Sequence, residues 1–356
     1  MNKFLCVFCI LLFIFKTENV FSNNLIYDVN NIEVSGKINK DQDNSKLIEE
    51  AFQKAFSIFI SKTLLKKDAK NLNKIKIETI KDLVLTYQII KNRNEKNKKT
   101  YLTLNIKLNP KKINNFLAQR KISYADISNI SLTLFPILIK KNKEILLYQE
   151  NFFYKNWIES NNIENNRSDK LINYNLALEN VEDLEYINKN KENLDGINIK
   201  NITSFKEAKN YALVIIYSTN DGFKAYIKTS INKIEIDRSV NLKITEKNYN
   251  KSYDEAIIYL KEEIDQIWKE QNLIDVNTPS FLDFFLAIGQ TNDYLKLKSI
   301  LDEIDVIENY SVLEMTNDYS KIRIKYKGKV SRIKNKLKEK KINIEIINNI
   351  WKLKIS

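Results

Sequence analysis

The 356-residue chain contains no histidine, and its two cysteines, Cys6 and Cys9, both fall near its start. Histidine is the commonest general base and the commonest metal ligand. Its absence excludes Ser-His-Asp and Cys-His nucleophilic sites, HExxH zinc sites and zinc-deaminase chemistry. There are 5 glycines and neither a GxGxxG pattern nor a P-loop, so a phosphate-cradling loop has almost nothing to be built from. After the first residues no apolar run approaches the ~20 residues that span a bilayer as a helix.

What is present begins with residues 1–22, which read as an export signal. Lys3 supplies the positive charge, 4–15 is an unbroken apolar run, and Val20 and Ser22 stand at the small-residue positions for cleavage after Ser22. Acylation of Cys9 is disfavoured, because the bulky Phe8 precedes it and too little apolar core lies upstream. Removing 1–22 removes both cysteines, and with them disulfides, thiolate nucleophiles and Cys-ligated metals. The remainder is long enough for two or three domains, and 43% hydrophobic residues supply a core despite 29% charged ones.

Net charge is +13. A basic chain can meet nucleic acid, anionic lipid or an acidic polymer. Here the excess is carried mainly by Lys in a Lys-, Asn- and Ile-rich background, the mixture that AT-rich codons produce. Arg, the residue a phosphate or base reader favours, is scarce. Nucleic acid is therefore not an expected partner.

Periodicity predicts an α+β protein of three small domains with largely antiparallel sheets. The first, 23–125, reads β-α-β-β-α. It has a strand with Ile32, Val34 and Ile38 on one face, and a polar turn with cap candidates Asp41, Asp43, Asn44 and Ser45. A helix follows with an apolar face of Leu47, Ile48, Ala51, Phe52, Ala55, Phe56, Phe59 and Ile60. Strands over 83–91 and 101–108 form a long-looped hairpin. Pro110 then opens a helix that buries Ile113, Phe116 and Leu117.

The middle domain, 126–275, is α/β. It predicts a strongly apolar strand over 131–139 with Pro136 at an edge or bulge, then 145–148 as strand or helix start. An aromatic corner of Phe152, Phe153, Tyr154 and Trp157 follows. The Asn-rich insertion 161–201 reads as a connection with short helices, one over 171–184, and another short helix falls at 205–210. A buried strand at 211–218, a turn at Asn220-Asp221-Gly222 and strands at 223–231 and 234–242 give a meander. A helix over 253–268 has Ala256, Ile257, Leu260, Ile264, Ile267 and Trp268 on its apolar face. The last domain, 276–356, reads β-α-β-β-α-β, the split-βαβ or ferredoxin-like pattern, with Thr291 or Asn292 capping its first helix. This superfold carries no function by itself.

Candidate chemistry is thin. Glu49 with Glu50, Glu262 with Glu263, and Asp302 with Glu303 are paired carboxylates on polar helix faces, where solvation explains them. Gly328 suits a strand-to-helix turn. The basic stretch 325–341, with Lys336, Lys338 and Lys340 as its candidate surface, would dock on anionic headgroups, or would simply be the solvated face of a helix burying Val330, Ile333 and Leu337. No catalytic, cofactor-binding or metal-ligating set is assigned.

Three stretches carry a family likeness. One is 29–64 with the helix pattern of residues 47–56. The second is 102–117 with Leu104-Asn105-Ile106-Lys107-Leu108-Asn109-Pro110, followed by 132–138 and Asn156-Trp157. The third is the tail from Tyr326-Lys327-Gly328 to Trp351-Lys352-Leu353. In these the chain resembles the DUF2066 family of uncharacterised exported proteobacterial proteins. The middle domain looks distantly similar to the N-terminal α/β domain of TolB-type periplasmic proteins, and 161–201 departs from that likeness. The resemblance implies export to the periplasm and supplies no activity. The expectation is a non-enzymatic envelope protein with no cofactor. It would bind another envelope protein or a cell-wall or lipid polymer, with peripheral membrane contact compatible. The alternatives are a carboxylate-dependent cell-wall hydrolase and an anionic lipid or lipopolysaccharide binder. Sheet edges are the natural docking sites on such domains.

Overall fold

A computed structural model describes residues 26–37, 44–72, 74–94, 99–125, 129–159, 171–243, 249–276, 280–288, 292–328, 330–347 and 350–355. The export signal, the cleavage point after Ser22, Ile38, Asp41, Asp43, Thr291 and residues 161–170 of the insertion lie outside them. The chain divides into two compact units, each drawn from separated stretches. One takes Met1–Lys37, Asp82–Asn115 and Thr278–Ser356; the other takes Ile38–Lys81 and Phe116–Asn277. The fold is α+β with mostly antiparallel sheets, as expected.

In the first unit, β1 (Asp28–Lys37), β2 (Val84–Asn94) and β3 (Lys99–Leu108) form an antiparallel sheet in the order β1-β3-β2. β3 is central because it alternates cleanly. Leu102, Leu104, Ile106 and Leu108 are buried, and Tyr101, Thr103, Asn105 and Lys107 lie between them half-exposed. β1 buries Val29 as well as Ile32 and Val34, although Val29 is out of step with the other two. A bulge between Val29 and Ile32 restores the face. Asn31 takes the left-handed conformation there (φ 57°), and its N–H donates to Asn105 Oδ1 at 2.9 Å.

The second unit holds the helix Ser45–Thr63, whose expected face is buried except for half-buried Ile48. Its C-terminal end is tied to the helix Tyr249–Gln271: the Lys66 N–H donates to Gln266 Oε1 at 2.9 Å, and Lys269 Nζ donates to the Ser61 carbonyl. β4 (Tyr124–Ala125) pairs, out of chain order, with a short strand after the long helix, Leu273–Ile274.

The main sheet comprises β5 (Ile130–Ile139), β6 (Ile145–Leu146), β7 (Ile172–Leu176), β8 (Tyr211–Ser218), β9 (Gly222–Ile231) and β10 (Ile234–Lys243). Leu273–Ile274 is β11. The order is β10-β9-β8-β5-β6, with β7 also on β5; β5 runs parallel to β7 and β8. Both faces are covered. Leu132, Leu134, Val214 and Ile216 meet the helix Tyr249–Gln271 with Phe153 and Trp157; Phe135, Ile137, Leu213 and Ile215 meet the connection after β7. This two-sided burial is why β5 and β8 read as continuous apolar runs.

Two expectations change here. Residues 172–176 are a strand, not helix: Ile172, Tyr174 and Leu176 alternate with Asn173 and Asn175, a period of two. The helix expected at 205–210 is only the single 3₁₀ turn Thr203–Phe205. Beyond it the Asn210 side chain brackets two strands, donating to the Ser131 carbonyl at 3.0 Å and accepting from the Asn232 N–H at 2.9 Å. Pro136, although in the middle of β5, is paired only with Val214 of β8 among the described residues and so holds a local edge position, as expected.

The C-terminal sheet contains β12 (Ser280–Ala287), β13 (Ile307–Met315), β14 (Tyr319–Tyr326), β15 (Ile342–Ile347) and β16 (Ile350–Ile355), in the order β13-β14-β12-β16-β15. β12 and β13 both run antiparallel to the β14 between them, joined by the helix Asp293–Glu303, so the split βαβ is present. The second half extends the expected pattern. β15 and β16 are a hairpin, and β16, parallel to β12, takes the place beside it. Leu297, Leu301, Ile333 and Leu337 cover one face, against Phe284, Leu286, Ile322, Ile324 and Leu353. Val330, expected to face inward, is exposed, because it is the first residue of its helix and precedes the turn that reaches the sheet.

Candidate docking edge

The sequence Val84-Leu85-Thr86-Tyr87-Gln88-Ile89-Ile90 is seven residues without a charge, rich in β-branched and aromatic side chains. It forms most of β2, where β3 is the only neighbouring strand among the described residues. Tyr87 lies opposite Ile106 and Ile89 opposite Leu104, on the face that β3 buries, while Gln88 lies opposite Asn105. Register shifts at Val84/Thr86 and Ile89/Lys91 leave a regular ladder from Thr86 to Ile89. Leu85, Tyr87, Ile89 and Ile90 are 52, 45, 39 and 42% exposed.

The two strands longer than five residues that carry no charge at all, β5 and β8, are interior strands of the main sheet. The other long edges carry charges, the usual protection against unwanted pairing. On β10, Asp237 pairs with Lys228 at 2.8 Å, Glu235 with Lys200 at 2.6 Å, and Arg238 with Glu263 and Glu270 at 3.3 and 2.6 Å. On β13, Glu308 binds Lys325 and Lys327 at 3.1 and 2.5 Å. Burial there works against its charge, but the two lysines hold the Glu308 carboxyl below the usual range. β2 places its charges, Lys91 and Arg93, only after the apolar run.

The basic helix does not gather its three lysines into a bare cationic surface. Ile333 and Leu337 turn inward as expected. Lys336 pairs with Glu339 at 3.1 Å with its side chain only 12% exposed, Lys340 pairs with Glu303, and Lys338 is exposed in the last turn. Lys329 and the Arg332 side chain lie outside the described parts.

The paired carboxylates are held by neighbours. Glu49 binds Lys81 at 2.6 Å, Glu50 binds Lys54 at 3.0 Å, and Asp302 accepts from the Tyr310 hydroxyl at 3.0 Å. Glu262 and Glu263 share Lys66 at 2.7 and 3.4 Å. Burial disfavours that ammonium, yet the hydrogen bond and charge of Glu262, joined by Glu263, raise Lys66 above its ordinary range. Such ion pairs stabilise charge on both partners, whereas a general acid must hold its proton near neutral pH. Among the described residues no group of three or more Asp, Glu, Cys or His is placed to hold a metal ion.

Sequence reasoning placed the β2 strand and did not single it out. The available signal was the lack of alternation: Val84, Leu85, Tyr87, Ile89 and Ile90 put apolar side chains at positions of both parities. No family model, no curated protein and no solved structure matches the chain.

Proposed function

We propose that this chain is an exported, periplasmic, non-enzymatic envelope protein, of the kind its DUF2066 resemblance implies, that binds another protein by adding a strand to the β2 edge. The observation that carries the reading is the exposed uncharged run 85–90 on an edge where β3 is the only neighbouring strand among the described residues, with the charges of β2 confined to Lys91 and Arg93 beyond that run. An added strand would satisfy the outward backbone groups of β2, and alternate side chains would pack beside Tyr87 and Ile89. Export rests on the reading of residues 1–22. Among the described residues no helix is long and apolar enough to cross a membrane. The ion pairs of Glu49, Glu50, Glu262, Glu263, Glu303, Lys336 and Lys340 weigh against the hydrolase and anionic-lipid alternatives.

The test is affinity capture from an envelope fraction after brief crosslinking, with the wild type and Ile89→Lys compared side by side. A protein retained by the wild type and lost by the folded variant supports the reading. Equal retention by both, or recovery of cell-wall or lipid material alone, overturns it.

A further inference from the structure

We infer that the β2 edge takes an acidic strand: an extended segment of another protein, apolar beside Tyr87 and Ile89 and carboxylate-bearing beside Lys91 and Arg93. This rests on the reading of β2 as a docking edge and names the chemistry of its partner. The charges of the strand carry the argument. The helix Ile77–Leu83 ends directly before β2, and its Asp82 is held by Lys112 at 2.5 Å, so no acidic residue stands within the strand. The charges that β2 does hold, Lys91 and Arg93, are both positive and both exposed. Lys91 has no ion-pair partner among the described residues.

Register gathers more positive charge at the same end. Lys91 lies opposite Thr103 and Arg93 opposite Tyr101, on the half-exposed face of β3. Lys99, at the start of β3, joins them: its ammonium and the Arg93 guanidinium lie 4.8 and 5.0 Å from the centre of the Tyr101 ring. The ring attracts both cations. It thereby holds two like charges near each other, and an anion beside them would relieve that repulsion. The acidic residues of this face lie on the far side of β3. Asp28 and Glu33 belong to β1, opposite Lys107 and Thr103, and Asp28 contacts Lys107 at 3.6 Å. The side that an added strand would join is therefore cationic at one end and uncharged along the rest.

Geometry then fixes the pattern of the partner. Directly opposed residues of neighbouring strands share a face. Tyr87 and Ile89 share the face of the buried Ile106 and Leu104, and past the shift at Ile89/Lys91 the two cations lie on the other. The complementary strand carries apolar side chains on one face and, beyond them, two carboxylates two residues apart on the other. Arg93 suits this ligand, because its planar fork matches a carboxylate.

The experiment is a titration of fluorescently labelled peptides with the full chain, read by anisotropy. The probes are Thr-Val-Thr-Val-Thr-Val-Glu-Thr-Glu-Thr and its reversed sequence, which offer both strand directions. Counterparts carry Lys for Glu, or Ser for Val. One acidic probe should bind, and its Lys counterpart should bind on the order of tenfold more weakly. Raising salt from about 0.05 M to about 0.5 M should weaken the acidic probe. The double variant Lys91→Glu with Arg93→Glu, its fold checked by circular dichroism, should reverse the preference. Equal binding of acidic and basic probes, lost in the Ser counterparts, overturns the acidic occupant and leaves the docking edge standing. Acidic binding that the Ser counterpart retains shows a bare anion site and overturns the strand. No binding by any probe takes both readings down.

Discussion

Pro136 lies in the middle of a sheet, where its missing N–H should break a ladder. Its position is tolerated because β5 is locally an edge there. β7 pairs residues 130–134 and β6 pairs residues 138–139, leaving a gap on the flank between them. The Pro136 carbonyl faces that gap and accepts from Asn151 Nδ2 at 2.8 Å, while Asn151 Oδ1 accepts from the Phe153 N–H at 2.9 Å and caps the helix Phe152–Asn156. Asn151 is fully buried, so Asn151→Ala strands an acceptor and a donor together. We expect a loss of about 2–4 kcal/mol, read as a lower denaturant midpoint. Nearby, Tyr148 holds a left-handed backbone (φ 45°), stacked on Phe135 with ring centres 5.0 Å apart. Its hydroxyl donates to the Asn180 carbonyl and accepts from the Asn180 N–H. Burial pushes this phenol up to about 12. The unfolded chain releases the proton near pH 10 and the folded chain keeps it, so the contribution is complete below pH 10 and is lost as pH rises toward 12. Tyr148→Phe should cost about 1 kcal/mol at pH 8, through its lost hydrogen bonds, and should show a shallower alkaline decline than the wild type in urea unfolding.

Whole elements were legible where one periodicity dominated. The helix Tyr249–Gln271 shows its buried face in Ala256, Ile257, Leu260, Ile264, Ile267 and Trp268, and β9 shows its own in Phe223, Ala225, Ile227, Thr229 and Ile231. What escaped was set by pairing at a distance. β7 joins β5 in parallel from more than thirty residues away, and nothing local in 172–176 reveals its neighbour. The hairpin β15–β16 could be read as strands, but its order beside β12 is a long-range pairing that no local pattern displays. The docking edge was half legible: 83–91 reads as a strand, while its exposure depends on β3 being its only neighbouring strand among the described residues. The basic helix Val330–Glu339 is the opposite case, where sequence suggests a surface and its neighbours remove part of it. Because Lys336 and Lys340 are ion-paired to Glu339 and Glu303, replacing Lys336, Lys338 and Lys340 with Glu should leave association with anionic vesicles at 0.15 M salt unchanged. A collapse of vesicle binding in the folded triple variant would restore the lipid-binding alternative.

At the scale of the whole molecule, the absence of histidine and the position of the cysteines act together. Cys6 and Cys9 both lie inside the apolar run of the proposed export signal, so processing would convert a chain with two thiols into one with none. A protein without thiols gains nothing from an oxidising compartment and loses nothing there. Three N-termini separate the fates of the chain. Cleavage after Ser22 gives a chain beginning at Asn23 that maleimide does not label. Acylation at Cys9 gives a lipid-modified chain that starts there and partitions into detergent. Retention gives the full 42.0 kDa chain with two reactive thiols. We expect the first. Intact mass and N-terminal sequencing of the protein released by osmotic shock should show Asn23 as the first residue, and substituting Ser22 with Phe should block release by filling a position the peptidase requires to be small. A full-length, maleimide-reactive chain in the shocked cells would remove export and leave the β2 edge to be tested against cytoplasmic partners instead.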